Sequence, residues 1–168
     1  MGTYRSIEWV NGVVRMIDQR ILPQTETYLD YEDYREVADA IRVMVIRGAP
    51  AIGAAAGYGL ALAALHSKAS SVTELQEELE IAAGVLRQAR PTAVNLFWAL
   101  DRVMSVVRQG KFDSTDAISQ AVLAEAHAIA REDAEMCKRI SLNGQAVVPD
   151  PAVFIHHDLP LRTLERLH

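Results

Sequence analysis

From Gly48 to Leu65 the chain runs 18 positions without a charged residue. A segment that long and that neutral has two physical outcomes. It spans a membrane, or it is a helix covered on every side by the rest of a globular fold. Ala and Gly dominate this one, both are weakly hydrophobic, and no aromatic belt flanks it. The second outcome fits better and dictates a plan: the other helices must wrap around this one. Gly53, Gly57 and Gly59 lie inside it. Each costs roughly 1 kcal/mol against Ala in a helix interior. Close approach of another backbone, from the third or fourth helix, explains them; crowding against a bound ligand is the alternative.

The remainder of the chain can supply that cover. Its 168 residues suit one domain with a real core. Half the residues are apolar, which excludes wholesale disorder. The net charge of −5 and pI near 5.5 argue against sequence-independent nucleic-acid binding and against a polybasic membrane anchor. The single cysteine, Cys137, excludes an intrachain disulfide and a Cys-based zinc site. Met1–Arg20 lacks the apolar core of a signal peptide, so a cytosolic, cytoplasmic protein is expected.

Residues 1–30 read as a small antiparallel sheet. Arg5–Val10 and Val13–Asp18 flank Asn11-Gly12, which suits a type I′ turn. Pro23 breaks the run, and Thr25–Tyr31 can return as a third strand. Residues 31–147 read as a helical domain. Tyr34, Val37, Ile41, Met44 and Val45 follow helical spacing. A second helix starts at Pro50 and runs to about His66. The third follows the capping-box pattern Ser71-Val72-Thr73-Glu74, with Leu75, Leu79, Ala82 and Leu86 as its stripe. The fourth starts at Pro91, passes Asn95 and ends at Gly110. The fifth starts near Asp113-Ser114, carries Ile118, Val122, Ile129, Met136 and Ile140 on one face, and closes at Asn143-Gly144. Residues 148–168 read as a terminal strand at Ala152–Ile155 and a non-native or disordered tail. The fold class is therefore mainly α: a helical bundle with a small N-terminal antiparallel sheet, reaching the first strand of a missing further domain.

Two junctions carry the chemistry. Arg47-Gly48-Ala49-Pro50 and Arg90-Pro91-Thr92 each set an arginine before an expected helix start. Such a start offers unpaired N–H groups and partial positive charge. A guanidinium beside it matches phosphate oxygens. Gly48 clears the backbone for a ligand. Two converging junctions make an anion cradle. Pairing of Arg47 and Arg90 with acids such as Asp101 or Glu36 is the competing reading. Asn95, among apolar neighbours, is a core polar contact or a ligand to substrate hydroxyls. Cys137 lies near a helix C-terminus and reads as a bystander. His156, His157 and Asp158 are adjacent on an expected strand and do not converge on one face.

The blocks Arg47-Gly48-Ala49-Pro50-Ala51-Ile52-Gly53 and Arg90-Pro91-Thr92-Ala93-Val94-Asn95-Leu96-Phe97-Trp98-Ala99-Leu100 are similar to those of the methylthioribose-1-phosphate isomerases. Ile7-Glu8-Trp9, Asp18-Gln19-Arg20-Ile21-Leu22-Pro23 and Glu132-Asp133-Ala134-Glu135-Met136 also fit, so the likeness covers about residues 4 to 155. Ribose-1,5-bisphosphate isomerases and the regulatory subunits of the exchange factor for eukaryotic initiation factor 2 share the fold. The resemblance implies an aldose–ketose isomerisation in methionine salvage, methylthioribose 1-phosphate to methylthioribulose 1-phosphate, with no metal or organic cofactor. It implies substrate binding by Arg47, Gly48, Ala49 and Arg90, a sugar phosphate as small-molecule partner, and a possible homodimer. A helical interaction module related to the initiation factor 2B regulatory subunits is the alternative.

Family members are roughly twice as long. Their catalytic cysteine lies in a Thr-His-Cys-Asn motif on the first strand of a Rossmann-like second domain. Here His156-His157-Asp158-Leu159 stands in that place, and Asp158 replaces the cysteine. The residues from about Phe154 read like a frame-shifted or prematurely stopped tail. No catalytic residue is therefore expected, and the chain alone is expected to be inactive.

Overall fold

A computed structural model describes residues 5–145 and 147–148. The expected strand at Ala152–Ile155, together with His156, His157 and Asp158, lies outside these. The hairpin forms as its turn residues dictate. Strands β1 (Ile7–Val10) and β2 (Val13–Ile17) pair antiparallel, with Val10 opposite Val13. Asn11 and Gly12 take φ of 50° and 89°, the two positive values of a type I′ turn. Strand β3 (Tyr28–Tyr31) is shorter than expected and pairs on the far side of β2. Val14, Met16 and Ile17 of the central strand are buried, so the sheet caps the helical core.

Five helices follow: α1 (Tyr34–Arg42), α2 (Ala49–Leu65), α3 (Val72–Arg87), α4 (Val94–Gln109) and α5 (Thr115–Gln145). As the neutral stretch requires, α2 is the axle of the bundle. Twelve of its residues, from Ile52 to Ala64, are buried. Its glycines mark where neighbours press in. A Cβ on Gly53 would lie 3.3 Å from the Asn95 carbonyl oxygen of α4, and one on Gly59 would lie 3.0 Å from Leu86 of α3. Gly57 faces Ala126 of α5 at 3.4 Å. The packing reading of the glycines holds, with the fifth helix joining the third and fourth. No helix among the described residues is long and apolar enough to cross a membrane.

Cross-contacts fix the helix directions. Ser119 donates to the Ala64 carbonyl at 3.1 Å, while Ala126 meets Gly57, so α5 runs antiparallel to α2. Gln76 reaches the Val107 carbonyl at 3.1 Å and Arg87 pairs with Asp101, so α3 and α4 are antiparallel. With Gly53 against Asn95, the starts of α2 and α4 and the late turns of α5 meet at one end of the bundle.

Several boundaries differ from expectation. The first helix stops at Arg42; Met44 takes φ of 61° in the following turn and is exposed. Its start is fixed by a capping box absent from the sequence reading: Asp33 accepts from Arg35 N–H, and Glu36 accepts from Asp33 N–H. At Ser71 the box is half made. Ser71 accepts from Glu74 N–H at 3.2 Å, but the Glu74 carboxylate turns to Ser70. The fourth helix begins at Val94, not Pro91, because Arg90-Pro91-Thr92-Ala93 closes a turn with Ala93 N–H donating to the Arg90 carbonyl at 3.0 Å. The fifth runs through Asn143-Gly144 instead of ending there, and Met136 and Ile140 are exposed, not part of its buried face.

Candidate functional site

At this end of the bundle the chain entering α2 is stapled to the chain leaving β2. Asp18, 5% exposed, accepts both the backbone N–H of Arg20 at 3.0 Å and its guanidinium at 2.8 and 2.7 Å. The bidentate Arg20 contact holds the Asp18 carboxyl below its ordinary pKa. The tight Asp18–Arg20 turn aims Gln19 at the loop that carries Arg47. Gln19 N–H donates to the Val45 carbonyl at 2.9 Å, the Arg47 guanidinium donates to the Gln19 carbonyl at 3.2 Å, and the Gln19 amide reaches the Arg47 carbonyl at 3.5 Å. A carbonyl orients a guanidinium but does not neutralise it. Arg47 is held, exposed, and still carries its charge.

Gly48 is the N-cap of α2. Its φ of 90° and ψ of 126° are open to glycine and strained for other residues. A Cβ there would meet nothing within 4 Å, so the glycine answers to backbone shape and not to crowding. No side chain caps this helix. Pro50 in the first turn lacks an N–H, while the N–H groups of Gly48, Ala49 and Ala51 precede the first intrahelical donor, Ile52, which bonds the Gly48 carbonyl at 3.0 Å. Ala49 is exposed at this mouth.

Arg90 sits at the head of the turn before α4, three residues ahead of the Ala93 N-cap, not directly before the helix as expected. The α4 start likewise has no side-chain cap. Arg90 is half-buried, and its guanidinium has no carboxylate or hydrogen-bond partner among the described residues. Among the described arginines, Arg15, Arg20, Arg35, Arg42, Arg87, Arg102 and Arg108 each hold a carboxylate. Arg5, Arg131 and Arg139 share with Arg47 and Arg90 the lack of one, but none of these three precedes a helix start. The acids expected to compete for Arg47 and Arg90 are engaged elsewhere: Asp101 pairs with Arg87, and Glu36 caps α1.

Asn95 is half-buried in the first turn of α4, with its Cβ against Gly53. Its side-chain amide has no hydrogen bond among the described residues, so the core-contact reading lacks the bond it needs. Cys137 lies on α5 with Asp133 as an acceptor at 3.7 Å. The described residues contain no cluster of three or more His, Cys, Asp or Glu suited to a metal.

Gln19 is the residue that sequence reasoning missed. It lies in the Asp18-Gln19-Arg20 block, and the signal there was the block itself, not any chemistry in the glutamine. The open clefts lined by Glu32, Asp33 and His66 lie at the opposite end of α2, about 25 Å along the axis, and play no part in this site.

Comparison with known proteins places these residues in context. The model of the initiation factor 2 subunit family matches residues 45–158. Methylthioribose-1-phosphate isomerase of Geobacter sulfurreducens is 43% identical over 155 residues, 92% of this chain and 45% of that protein. Methylthioribose-1-phosphate isomerase 2 of Pseudothermotoga lettingae is 47% identical over 157 residues, 94% of this chain and 45% of its own length. Among solved structures, 5-methylthioribose 1-phosphate isomerase from Pyrococcus horikoshii superposes with a TM-score of 0.83 at 46% identity, covering 86% of this chain and 41% of that one. The delta subunit of translation initiation factor eIF-2B from A. fulgidus gives 0.81 at 38% identity, covering 89% and 43%. The chain thus spans less than half the length of these relatives.

Proposed function

The chain belongs to the initiation factor 2 subunit family, and from that premise we propose that it is the phosphate-gripping part of a methylthioribose-1-phosphate isomerase. One observation carries the proposal: Arg47 and Arg90, neither paired with a carboxylate among the described residues, stand before two helix starts without side-chain caps at one end of the bundle.

Each residue then has a defined task. The N–H groups at Gly48 and Ala49 donate to the phosphate oxygens of methylthioribose 1-phosphate at the positive end of α2. Arg47, held by the Gln19 carbonyl, and Arg90, held at the head of its turn, bring fork-shaped donors from two sides. The Asn95 amide, one turn into α4, is placed for a sugar hydroxyl. Fixing the phosphate fixes C1 of the sugar. Ring opening and the proton transfer between C1 and C2 then need an acid and a base. The chain assigns neither role to a residue in this cradle. Binding without turnover is the expected behaviour of the 168-residue chain.

Thermal shift with methylthioribose 1-phosphate tests this. The ligand should raise the melting temperature of the wild-type chain, and Arg47→Ala or Arg90→Ala should weaken the effect at least tenfold in concentration, since a hydrogen bond to a charged group contributes about 1.5–3 kcal/mol. A shift that survives both substitutions excludes the cradle. The absence of any shift favours the helical interaction module, the reading suggested by the eIF-2B delta neighbour.

A further inference from the structure

Helix α1 ends in a Schellman motif. Val45 N–H donates to the Ala40 carbonyl at 2.9 Å and Met44 N–H to the Ile41 carbonyl at 3.3 Å, with Met44 left-handed at φ of 61°. Glycine is the usual residue at that position, because a Cβ makes the left-handed conformation costly. The other positive-φ positions among the described residues are Asn11, Gly12 and Gly48, all types that tolerate it. Met44 is not such a type, and at 47% exposure its side chain adds little packing to the fold. Strain held at an exposed apolar residue points to a task outside the core. Two more apolar side chains are exposed nearby: Val43 at 49%, and Ile21, next to the turn that Asp18 and Arg20 lock, at 39%. Gln19 clamps the two segments together. Its N–H bonds the Val45 carbonyl, and its own carbonyl holds the Arg47 guanidinium. Met44 adjoins one bonded residue of that clamp, and Ile21 lies two residues from the other.

We propose that Met44, with Val43 and Ile21, forms a specificity lip on the cradle that receives the apolar methylthio end of the sugar phosphate. The proposal rests on the phosphate reading of Arg47 and Arg90, and adds how the far end of the ligand is told from that of an ordinary sugar. Methylthioribose 1-phosphate carries its charge on C1 and its thioether on C5, on opposite sides of the ring. A ligand held by its phosphate at Arg47 therefore presents the methylthio group some way off. Met44 stands three residues before Arg47, within about 11 Å of chain. Methionine suits the contact, because its thioether is soft and its unbranched side chain adapts to the shape beside it. A glycine would relax the helix end but leave the methylthio group against water. Three side chains are far less than the surface a stable protein–protein interface buries, and they suit a small apolar group.

The test titrates methylthioribose 1-phosphate and ribose 1-phosphate, which lacks the methylthio group, into the 168-residue chain and its variants by calorimetry. The readout is the ratio of the two affinities. Wild type should favour the methylthio ligand by about three- to tenfold, the gain from covering one small apolar group. Met44→Gly should abolish that preference while its Tm equals or exceeds that of wild type, since glycine relieves the left-handed residue. Met44→Leu keeps an apolar side chain and should keep most of the preference. The proposal is overturned, with the phosphate reading left standing, by a wild type without preference, by a Met44→Gly variant that retains it, or by one that loses affinity for both ligands in proportion. A wild-type chain that binds neither ligand overturns the phosphate reading and this proposal with it. A dimer, seen by light scattering and dissolved by Met44→Gly, would assign the lip to a second copy and also overturn the proposal.

Discussion

Arg47 depends on residues that touch no ligand. Its guanidinium bonds the carbonyl of Gln19, and Gln19 is placed by the turn that Asp18 and Arg20 lock. Asp18→Asn removes a buried carboxylate and leaves Arg20 without its partner. The variant should bind methylthioribose 1-phosphate more weakly than wild type through disorder in the Arg47 loop, while Arg90→Ala weakens it through lost contact. Amide exchange at residues 45–48, faster in Asp18→Asn and unchanged in Arg90→Ala, separates the two causes. The pH dependence has a definite sign. Asp18 titrates below its ordinary value, so the bridge's contribution to stability is complete above about pH 4 and is lost as the pH falls through the depressed value. The Tm gap between wild type and Asp18→Asn should be widest at neutral pH and close in acid. A gap that grows toward acid would contradict the bridge. Gly48 is the second sensitive position. With φ at 90°, Gly48→Ala strains the cap and should destabilise by about 1–3 kcal/mol in a denaturant titration.

Among the elements, α2 does most to set the site, because α4 can start where it does only if Gly53 lets it approach. A Cβ at Gly53 already presses the Asn95 carbonyl at 3.3 Å, and that oxygen belongs to helix backbone, which cannot rotate away. Gly53→Val should therefore cost about 1–3 kcal/mol by overpacking and shift the first turn of α4, weakening ligand binding as well. Intact affinity in that variant would show that the two helix starts are not mechanically linked. This link was half legible in the sequence. The neutral run announced a central helix, and its glycines announced close neighbours. The start of α4 was not legible, because Pro91 suits a helix's first turn and position i+1 of a β-turn equally well, and only the Ala93-to-Arg90 hydrogen bond decides between them. The late turns of α5 misled for a related reason. Periodicity at Met136 and Ile140 identifies an apolar face but not what covers it. Asn143-Gly144, a common helix stop, was overridden within a helix of 31 residues.

At the scale of the molecule, the five helices and three-stranded cap of the described residues bring two cationic junctions to one end. The arginine blocks were visible in the sequence as motifs, whereas their lack of carboxylate partners was not, since it depends on Arg87 claiming Asp101 and Glu36 turning back to cap α1. An anion site of this design should be salt-sensitive, because both guanidinium groups remain open to solvent ions when no ligand is bound. The central claim is that Arg47 and Arg90 grip one phosphate together. A double-mutant cycle by calorimetry, titrating methylthioribose 1-phosphate into wild type, Arg47→Ala, Arg90→Ala and the double variant, reads that claim directly. Shared grip gives a coupling of about 0.5–3 kcal/mol, with the double variant losing less than the sum of the single losses. Strict additivity, or a full affinity retained by either single variant, would mean that the two arginines do not hold the same group.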